Sequence, residues 1–164
     1  MRRWVLLVMA LLLGLGRAAW GETFEAVVLF QTPGGLLAPE SRALPRHPQD
    51  PVAQAREVLT AFLEGPRGEN LRSLFPRETL VRGIFQSGST LVVDLEIPAR
   101  EQWQGSAWEE YLAVMGLVNT VLMNFPELRQ VKLLVDGMEQ ETLAGHVDIR
   151  YPMALQRELV EEGG

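Results

Sequence analysis

A long apolar stretch between a helix-start signal and a proline constrains the fold of this chain more than any other feature. Ser106 is followed three residues later by Glu109, which is a capping box: each side chain bonds a backbone N–H that the first helical turn leaves without a partner. Pro126 has no N–H to donate and disfavours helical angles at Phe125, so the helix ends there. This pattern predicts an amphipathic helix over 106–125 that packs on a sheet. Its apolar stripe comprises Trp108, Tyr111, Met115, Val118, Leu122 and Phe125.

Four further segments predict strands. Residues 23–30 are rich in β-branched and aromatic residues and predict a central strand covered on both faces. Residues 80–86 and 90–97 predict a hairpin around a short turn at Gly88. Residues 130–135 predict a short strand after the long helix.

A second helix is predicted from its end signals. Asp50 is suited to the N-cap, Pro51 to the first helical position, and Gly65 to the left-handed cap at the end. The segment 31–50 before it carries four prolines and predicts a long irregular loop that either wraps the body or functions in binding. The order predicts an α+β fold: a small mixed sheet of about four strands with two main helices packed on one face.

The first residues differ in composition from the rest. Arg2 and Arg3 precede an apolar run over 4–15, and the small residues Ala19 and Gly21 follow, as in a secretory signal peptide. We therefore expect a signal over 1–21 and a single domain over 22–164. An uncleaved membrane anchor is the alternative, although the apolar run is shorter than the roughly 20 residues that span a bilayer.

Charge and cysteine content exclude several classes of function. The net charge of -6 becomes -9 when the three arginines of residues 1–21 are removed, because -6 minus 3 is -9. A chain this acidic, without a basic cluster, is unsuited to nucleic acid. The absence of cysteine excludes disulfides, thiolate metal sites and a lipid-modified N-terminal cysteine.

Two polar residues in unexpected places are candidates for partner contact or for ordering loops. Arg42 lies within the proline-rich segment and is expected to pair with Glu40 or Glu64, or to bind a partner's carboxylate. Asn119 lies in the apolar helix, where its amide either reads a ligand or, as we favour, satisfies loop backbone near 136–145.

The loop after the last strand holds the remaining candidates. Asp136 and Gly137 form a strong turn dipeptide, and His146 is expected to hydrogen-bond loop backbone. A metal site formed by His146, Asp136 and Asp148 is the less favoured interpretation. We expect no cofactor and no metal.

Catalytic motifs are absent from the sequence. It contains no G-x-S-x-G, no G-x-x-x-x-G-K and no H-E-x-x-H. Asp94 and Glu96 lie two apart on one strand, as paired acid and base groups would, but a solvated strand face explains them equally well. A non-enzymatic protein is therefore favoured, with a hydrolase of envelope polymers and a ligand-binding module as alternatives.

The order and spacing of several segments resemble the GerMN domain of sporulation and spore germination proteins. The resemblance implies an extracytoplasmic α/β domain, similar to the ring-building modules of secretion channels, with a role in assembly through an envelope protein or self-association. The chain has one copy of the domain and no lipid-anchor cysteine, so a role in a spore channel does not follow. The matching segments are VVLFQ (27–31), LLAPESRAL (36–44), VLTAFLEGP (58–66), LRSLFPRETLVRGIF (71–85), LVVDL (91–95), GLVNTVLMNFPELRQVKLLVDG (116–137) and TLAGHVDI (142–149).

The signal predicts a specific change in mass. Protein isolated from its native host should lack residues 1–21, because signal peptidase cleaves after small residues such as Gly21. Intact-mass measurement of the envelope fraction tests this. A full-length mass there would support the anchor instead, and a cytoplasmic location would contradict both interpretations.

Overall fold

The structure, a computed structural model, describes residues 21–103 and 105–161. Apart from Gly21, the predicted signal lies outside the described residues. No helix in the described ranges is long and apolar enough to cross a membrane. The elements in chain order are β1 (Thr23–Gln31), β2 (Leu37–Pro45), α1 (Pro51–Glu64), β3 (Leu80–Ser87), β4 (Thr90–Glu96), α2 (Ala107–Asn124) and β5 (Gln130–Val135), with short 3-10 turns at Arg100–Gln102 and Arg157–Leu159.

Both predicted helices begin where their capping residues indicated. The Asp50 carboxylate accepts a hydrogen bond from Ala53 N at 2.9 Å, at the start of α1. The Ser106 hydroxyl accepts from Glu109 N at 3.2 Å, and the Glu109 carboxylate accepts from Ser106 N at 2.8 Å, which completes the capping box of α2. Phe125, before Pro126, leaves the helical conformation as predicted.

The strands form two sheets rather than one. β1 pairs antiparallel with β2 alone, so it is not the central strand that its sequence predicted. In the second sheet β4 lies in the centre, antiparallel to β3 and parallel to β5. The mixed α+β class with two main helices is confirmed, and the strands number five among the described residues.

The additional strand is β2, which falls within the segment that predicted an irregular loop. That expectation is wrong for Leu37–Pro45. Arg42 and Leu44 are buried while Ser41 and Ala43 are exposed, which is the alternation of a strand with one covered face. Pro39 within this stretch and Pro45 at its end conceal the pattern in the sequence.

Helix α2 lies at the centre of the molecule. Every residue from Leu112 to Leu122 is buried, and the helix contacts β1 of the first sheet, β5 of the second and α1. The predicted single apolar stripe is therefore incomplete, since the rest of the helix circumference is apolar too and is covered by other elements. Trp108, at the start of that stripe, is 47% exposed.

Gly116 allows part of this close packing. A Cβ atom at this position would lie 2.5 Å from the Leu74 side chain, and Leu37 and Phe62 also come within 4 Å of it. Glycine within a helix costs about 1 kcal/mol relative to alanine. Here the missing side chain lets the segment around Leu74 and the strand β2 approach the helix.

Candidate interaction site

Arg42 is a buried structural residue. Its side chain is 2% exposed and lies 2.5 Å from the Glu40 carboxylate, while its Nη2 donates to Gly65 O at 2.8 Å. The guanidinium also lies over the Phe30 ring, 5.6 Å from the centroid. The predicted pairing with Glu40 is present, but the proposed contact with a partner is wrong because the guanidinium does not reach solvent.

Asn119 orders a different segment from the one predicted. Its Nδ2 donates to Gln156 O at 2.7 Å, and its Oδ1 accepts from Gln156 N at 2.9 Å. The prediction that Asn119 bonds the backbone of the 136–145 loop is therefore wrong. The side chain satisfies both backbone groups of one residue in the C-terminal segment, which joins that segment to α2.

Asp136 and Gly137 form the predicted turn. Both have positive φ, 54° and 77°, and Val135 and Met138 exchange backbone hydrogen bonds across them at 3.0 and 3.1 Å. The Asp94 carboxylate accepts from Gly137 N at 2.8 Å. This turn sends the chain back from β5 into the 138–149 loop.

Glu110 holds that loop, and sequence reasoning missed it. This carboxylate is 1% exposed and accepts hydrogen bonds from three backbone N–H groups, those of Ala144, His146 and Val147, at 2.7 to 3.0 Å. The His146 ring lies 2.9 Å away through Nδ1, so His146 pairs with a carboxylate rather than with loop backbone. The signal was present as an acidic residue inside the helix one position after the capping Glu109.

Burial and hydrogen bonding act on Glu110 in opposite directions. Burial is the largest single influence and would raise the pKa of this carboxyl group. The hydrogen bonds from Ala144, Val147 and His146 together outweigh it and hold the pKa below its ordinary value of 4.5. Glu110 is therefore a carboxylate at neutral pH, and its charge is stabilised by the loop that it orders.

The less favoured chemical interpretations find no arrangement to support them. Within 21–103 and 105–161, no group of three or more His, Asp and Glu side chains is placed to hold a metal ion. His146 contacts Glu110, and Asp148 pairs with Arg150 at 2.7 Å. Asp94 is buried and engaged with Gly137, whereas Glu96 is exposed, so the two carboxylates do not share one environment.

The outer edge of β1 is closed by side chains of α2. Asn124 accepts from Val27 N at 2.9 Å and donates to Val27 O at 2.6 Å, and the Thr120 hydroxyl accepts from Leu29 N at 3.1 Å. Arg72 exchanges backbone bonds with Gln31 at the end of the strand. This edge is therefore occupied from Val27 to Gln31, whereas the exposed Glu25, nearer the start of β1, has no such contact among the described residues.

The outer edge of β2 is blunted by proline. Residues directly opposite each other in an antiparallel pair point their backbone groups either toward each other or both away. The backbone N–H groups of Val27 and Leu29 bond to α2 and therefore point away from β2. The backbone groups of their partners Ser41 and Pro39 consequently point to the outer side of β2, and by alternation so do those of Pro45. Prolines 39 and 45 have no N–H to offer at that edge.

The outer edge of β5 is covered by the C-terminal segment. Val131 and Met153 exchange backbone hydrogen bonds at 2.9 and 2.8 Å. The Lys132 ammonium, on the same strand, donates to Ile149 O at 3.2 Å and to Arg150 O at 2.5 Å. The end of the chain thus closes this edge.

The edge of β3 combines uncovered backbone groups with large exposed apolar side chains. Arg56 donates to Val81 O at 3.1 Å, but between Gly83 and Ser87 no described group covers the outer edge. The strand also carries two of the large exposed apolar side chains, Leu80 at 59% and Phe85 at 60%. Open backbone groups beside exposed apolar side chains are the features of a strand that pairs with another chain.

Comparison with known proteins identifies the family. A family profile described as "Germane: Sporulation and spore germination" matches residues 29–141. The chain belongs to this family. The resemblance to the GerMN domain that the sequence indicated is thus confirmed.

Solved structures of GerMN domains share the fold. The first GerMN domain of the sporulation protein GerM from Bacillus subtilis is 19% identical and has a TM-score of 0.63, over 83% of this chain and 99% of that domain. The tandem GerMN domains of the same protein are 15% identical with a TM-score of 0.60, over 84% of this chain and 47% of the tandem. This chain therefore spans about half of the tandem.

A candidate lipoprotein from Clostridium perfringens has a similar structure, with 17% identity and a TM-score of 0.57 over 83% of this chain and 89% of that protein. A search of curated proteins found no significant match. At these identities the solved structures establish that this member of the family has the GerMN fold.

The Glu110 network predicts a stability that depends on pH. Glu110→Gln should lower the free energy of unfolding at pH 7 by about 2 to 4 kcal/mol, because an amide places N–H donors against the loop's own donors. The pKa of Glu110 is lower in the folded protein, so its contribution is present above about pH 4.5 and is lost as the pH falls through the folded pKa. The difference between wild type and variant should therefore shrink in acid.

Urea unfolding at several pH values measures this difference. The exposed Glu101, which has no hydrogen-bond partner among the described side chains, supplies the matched control Glu101→Gln, expected to change stability by less than about 0.5 kcal/mol. Equal effects of the two substitutions at pH 7 would contradict the role of Glu110.

Proposed function

We propose that this GerMN-family chain is a non-enzymatic, extracytoplasmic assembly module of the cell envelope, which joins a second copy of itself or another envelope protein by strand addition at β3. The single observation that carries the proposal is the contrast between edges. The outer edges of β1 and β5 are contacted by side chains of α2 or by the C-terminal segment, and β2 presents two prolines at its edge. β3 combines an edge that no described group covers from Gly83 to Ser87 with the exposed apolar side chains of Leu80 and Phe85.

The exposed side chains of β3 support the same surface. Phe85 lies over Gly83 on its own strand, with the ring 3.0 Å from where a Cβ of that residue would stand. Side chains of an added strand could pack against the Phe85 ring, and its backbone would hydrogen-bond the outward backbone groups of β3. Leu80 extends the apolar character to the start of the strand.

The extracytoplasmic location rests on the sequence and on the family. The predicted signal over 1–21 directs export, and one solved neighbour is a candidate lipoprotein while another is a sporulation protein. Both descriptions fit a domain that works in or near the envelope. An acidic body also suits contact with proteins better than contact with nucleic acid.

The ligand-binding and hydrolase alternatives have weaker support. The clefts of the described surface are open to solvent, with volumes of about 320 to 560 Å³, whereas sites for small molecules and cofactors enclose most of their ligand. One of these clefts, beside Arg100, is lined largely by the loop that Glu110 orders. Arg100 itself donates to the backbone carbonyls of Thr142 and Leu143, so its charge serves the loop.

Photocrosslinking at single positions tests the proposal. A benzophenone amino acid in place of Phe85 should form adducts in intact cells, and mass spectrometry of the adducts should identify a second copy or a defined envelope protein. The same probe in place of Tyr151, which is 68% exposed but lies outside β3, is the matched control.

A second variant checks that pairing uses the strand edge. Ser87 and Thr90 flank a two-residue turn, so their backbone groups bond to each other. The backbone N–H and C=O groups of the preceding residue, Gln86, therefore face away from β4. Gln86→Pro removes that donor from the outer edge without breaking the hairpin, and should abolish the Phe85 adducts while preserving the melting temperature to within about 4 °C. Adducts that persist in the Gln86→Pro background, or that form equally from position 151, would refute strand addition at β3.

A further inference from the structure

A second surface lies between the end of α2 and the C-terminal segment, distant in sequence from β3. Here an open groove of about 560 Å³ is lined by six apolar residues and two arginines. We call it the arginine groove. Its lining consists of Leu122, Met123, Pro126, Leu128, Ala154 and Leu155, together with Arg129 and Arg157.

The charge of this groove differs from that of the whole chain. The lining carries two positive charges and no negative one, in a protein of net charge -6. Several other arginines are paired with carboxylates, among them Arg42, Arg82 and Arg150. In the described part of the chain neither Arg129 nor Arg157 has a salt bridge, so both guanidinium groups retain their capacity to bind an anion.

The groove is also held in shape by contacts on both sides of its wall. Met153 is fixed to β5 through Val131, and Gln156 is fixed to α2 through the two hydrogen bonds of Asn119. Ala154 and Leu155 lie between these two hydrogen-bonded residues, which fixes the position of their backbone. A preformed site loses less conformational entropy on binding, which favours affinity for a short segment.

From this geometry we infer that the arginine groove binds an acidic peptide segment of a partner protein, with an apolar side chain seated against Leu122, Leu128 and Leu155 and with carboxylates on Arg129 and Arg157. Carboxylates match the fork of a guanidinium group, and the apolar wall supplies a place for one anchoring side chain. The inference does not depend on strand addition at β3, because it uses different residues.

A peptide fits this surface better than a membrane does. Two basic residues attract an anionic bilayer by only about 1 kcal/mol each, and stable surface binding needs several of them. The apolar atoms also line a concave groove, which a flat bilayer does not enter. A peptide side chain reaches them without deformation of either partner.

Binding of defined peptides measures the inference. The probe is a fluorescein-labelled hexapeptide that alternates Glu and Leu, and its competitors are the Lys/Leu and Glu/Ser hexapeptides, read by fluorescence anisotropy with the purified domain. We expect the Glu/Leu peptide to bind at least about tenfold more tightly than either competitor. The Lys/Leu peptide lacks the carboxylates that pair with the arginines, and the Glu/Ser peptide lacks the apolar side chains that contact the leucines. Affinity that is equal for the three peptides, or absent for the Glu/Leu peptide, would overturn the inference.

Charge reversal locates the site. Arg129→Glu/Arg157→Glu should weaken binding of the Glu/Leu peptide about tenfold or more, while Arg46→Glu, at an arginine 53% exposed and outside the groove, should change it by less than about twofold. The milder pair Arg129→Gln/Arg157→Gln gives the same ranking if the reversal impairs folding. Phe85→Lys should leave peptide binding unchanged, because Phe85 lies outside the groove. Loss of strand pairing at β3 and loss of peptide binding in the groove can therefore be measured independently.

Vesicles of phosphatidylglycerol provide the competing outcome. The domain should not co-sediment with them beyond the level seen for phosphatidylcholine vesicles. Co-sedimentation that is lost in Arg129→Glu/Arg157→Glu, without binding of the Glu/Leu peptide, would replace the peptide with a membrane surface and overturn the inference.

Discussion

A buried helix that carries hydrogen-bonding side chains organises this structure. α2 is surrounded by other elements, so each polar group on it would cost on the order of 1 to 3 kcal/mol if it lacked a partner. Their partners are backbone groups that strand pairing leaves free, in a loop, in the C-terminal segment and along the outer edge of β1. Glu110 takes three N–H groups of the 138–149 loop, Asn119 takes both groups of Gln156, and Asn124 takes both groups of Val27. The helix therefore fixes one sheet edge, a long loop and the C-terminal segment together.

This arrangement determines which surfaces remain for partners. The side chains of α2 close β1, and the segment that Asn119 holds continues from the one that closes β5. Prolines 39 and 45 blunt β2. β3 remains available through its uncovered edge and its exposed Leu80 and Phe85. The anchored C-terminal segment forms one wall of the arginine groove, a positive site on an acidic protein. The groove therefore depends on the contacts between α2 and the C-terminal segment.

The sequence predicted the parts of the fold that depend on local chemistry. Caps at Asp50 and Ser106, the helix end before Pro126 and the Asp136 turn are local effects, and all are present. Long-range pairing was less accessible. β2 was missed because its prolines lie at outward positions, where an edge strand tolerates them, and a sequence does not show which positions face outward.

Site residues show the same limit. Arg42 and Asn119 were singled out as polar residues in apolar or proline-rich surroundings, and the nearby pairing of Arg42 with Glu40 was predicted. Their backbone partners, Gly65 and Gln156, lie 23 and 37 positions away and were not. Amide hydrogen exchange tests most directly whether α2 organises these segments. The free energy of exchange should be within about 1 kcal/mol of the free energy of global unfolding for four amides, as for the core amides of α2. These are the amides of Val27, Ala144, Val147 and Gln156. Exchange of these amides at free energies several kcal/mol lower, typical of freely opening loops, would contradict this account.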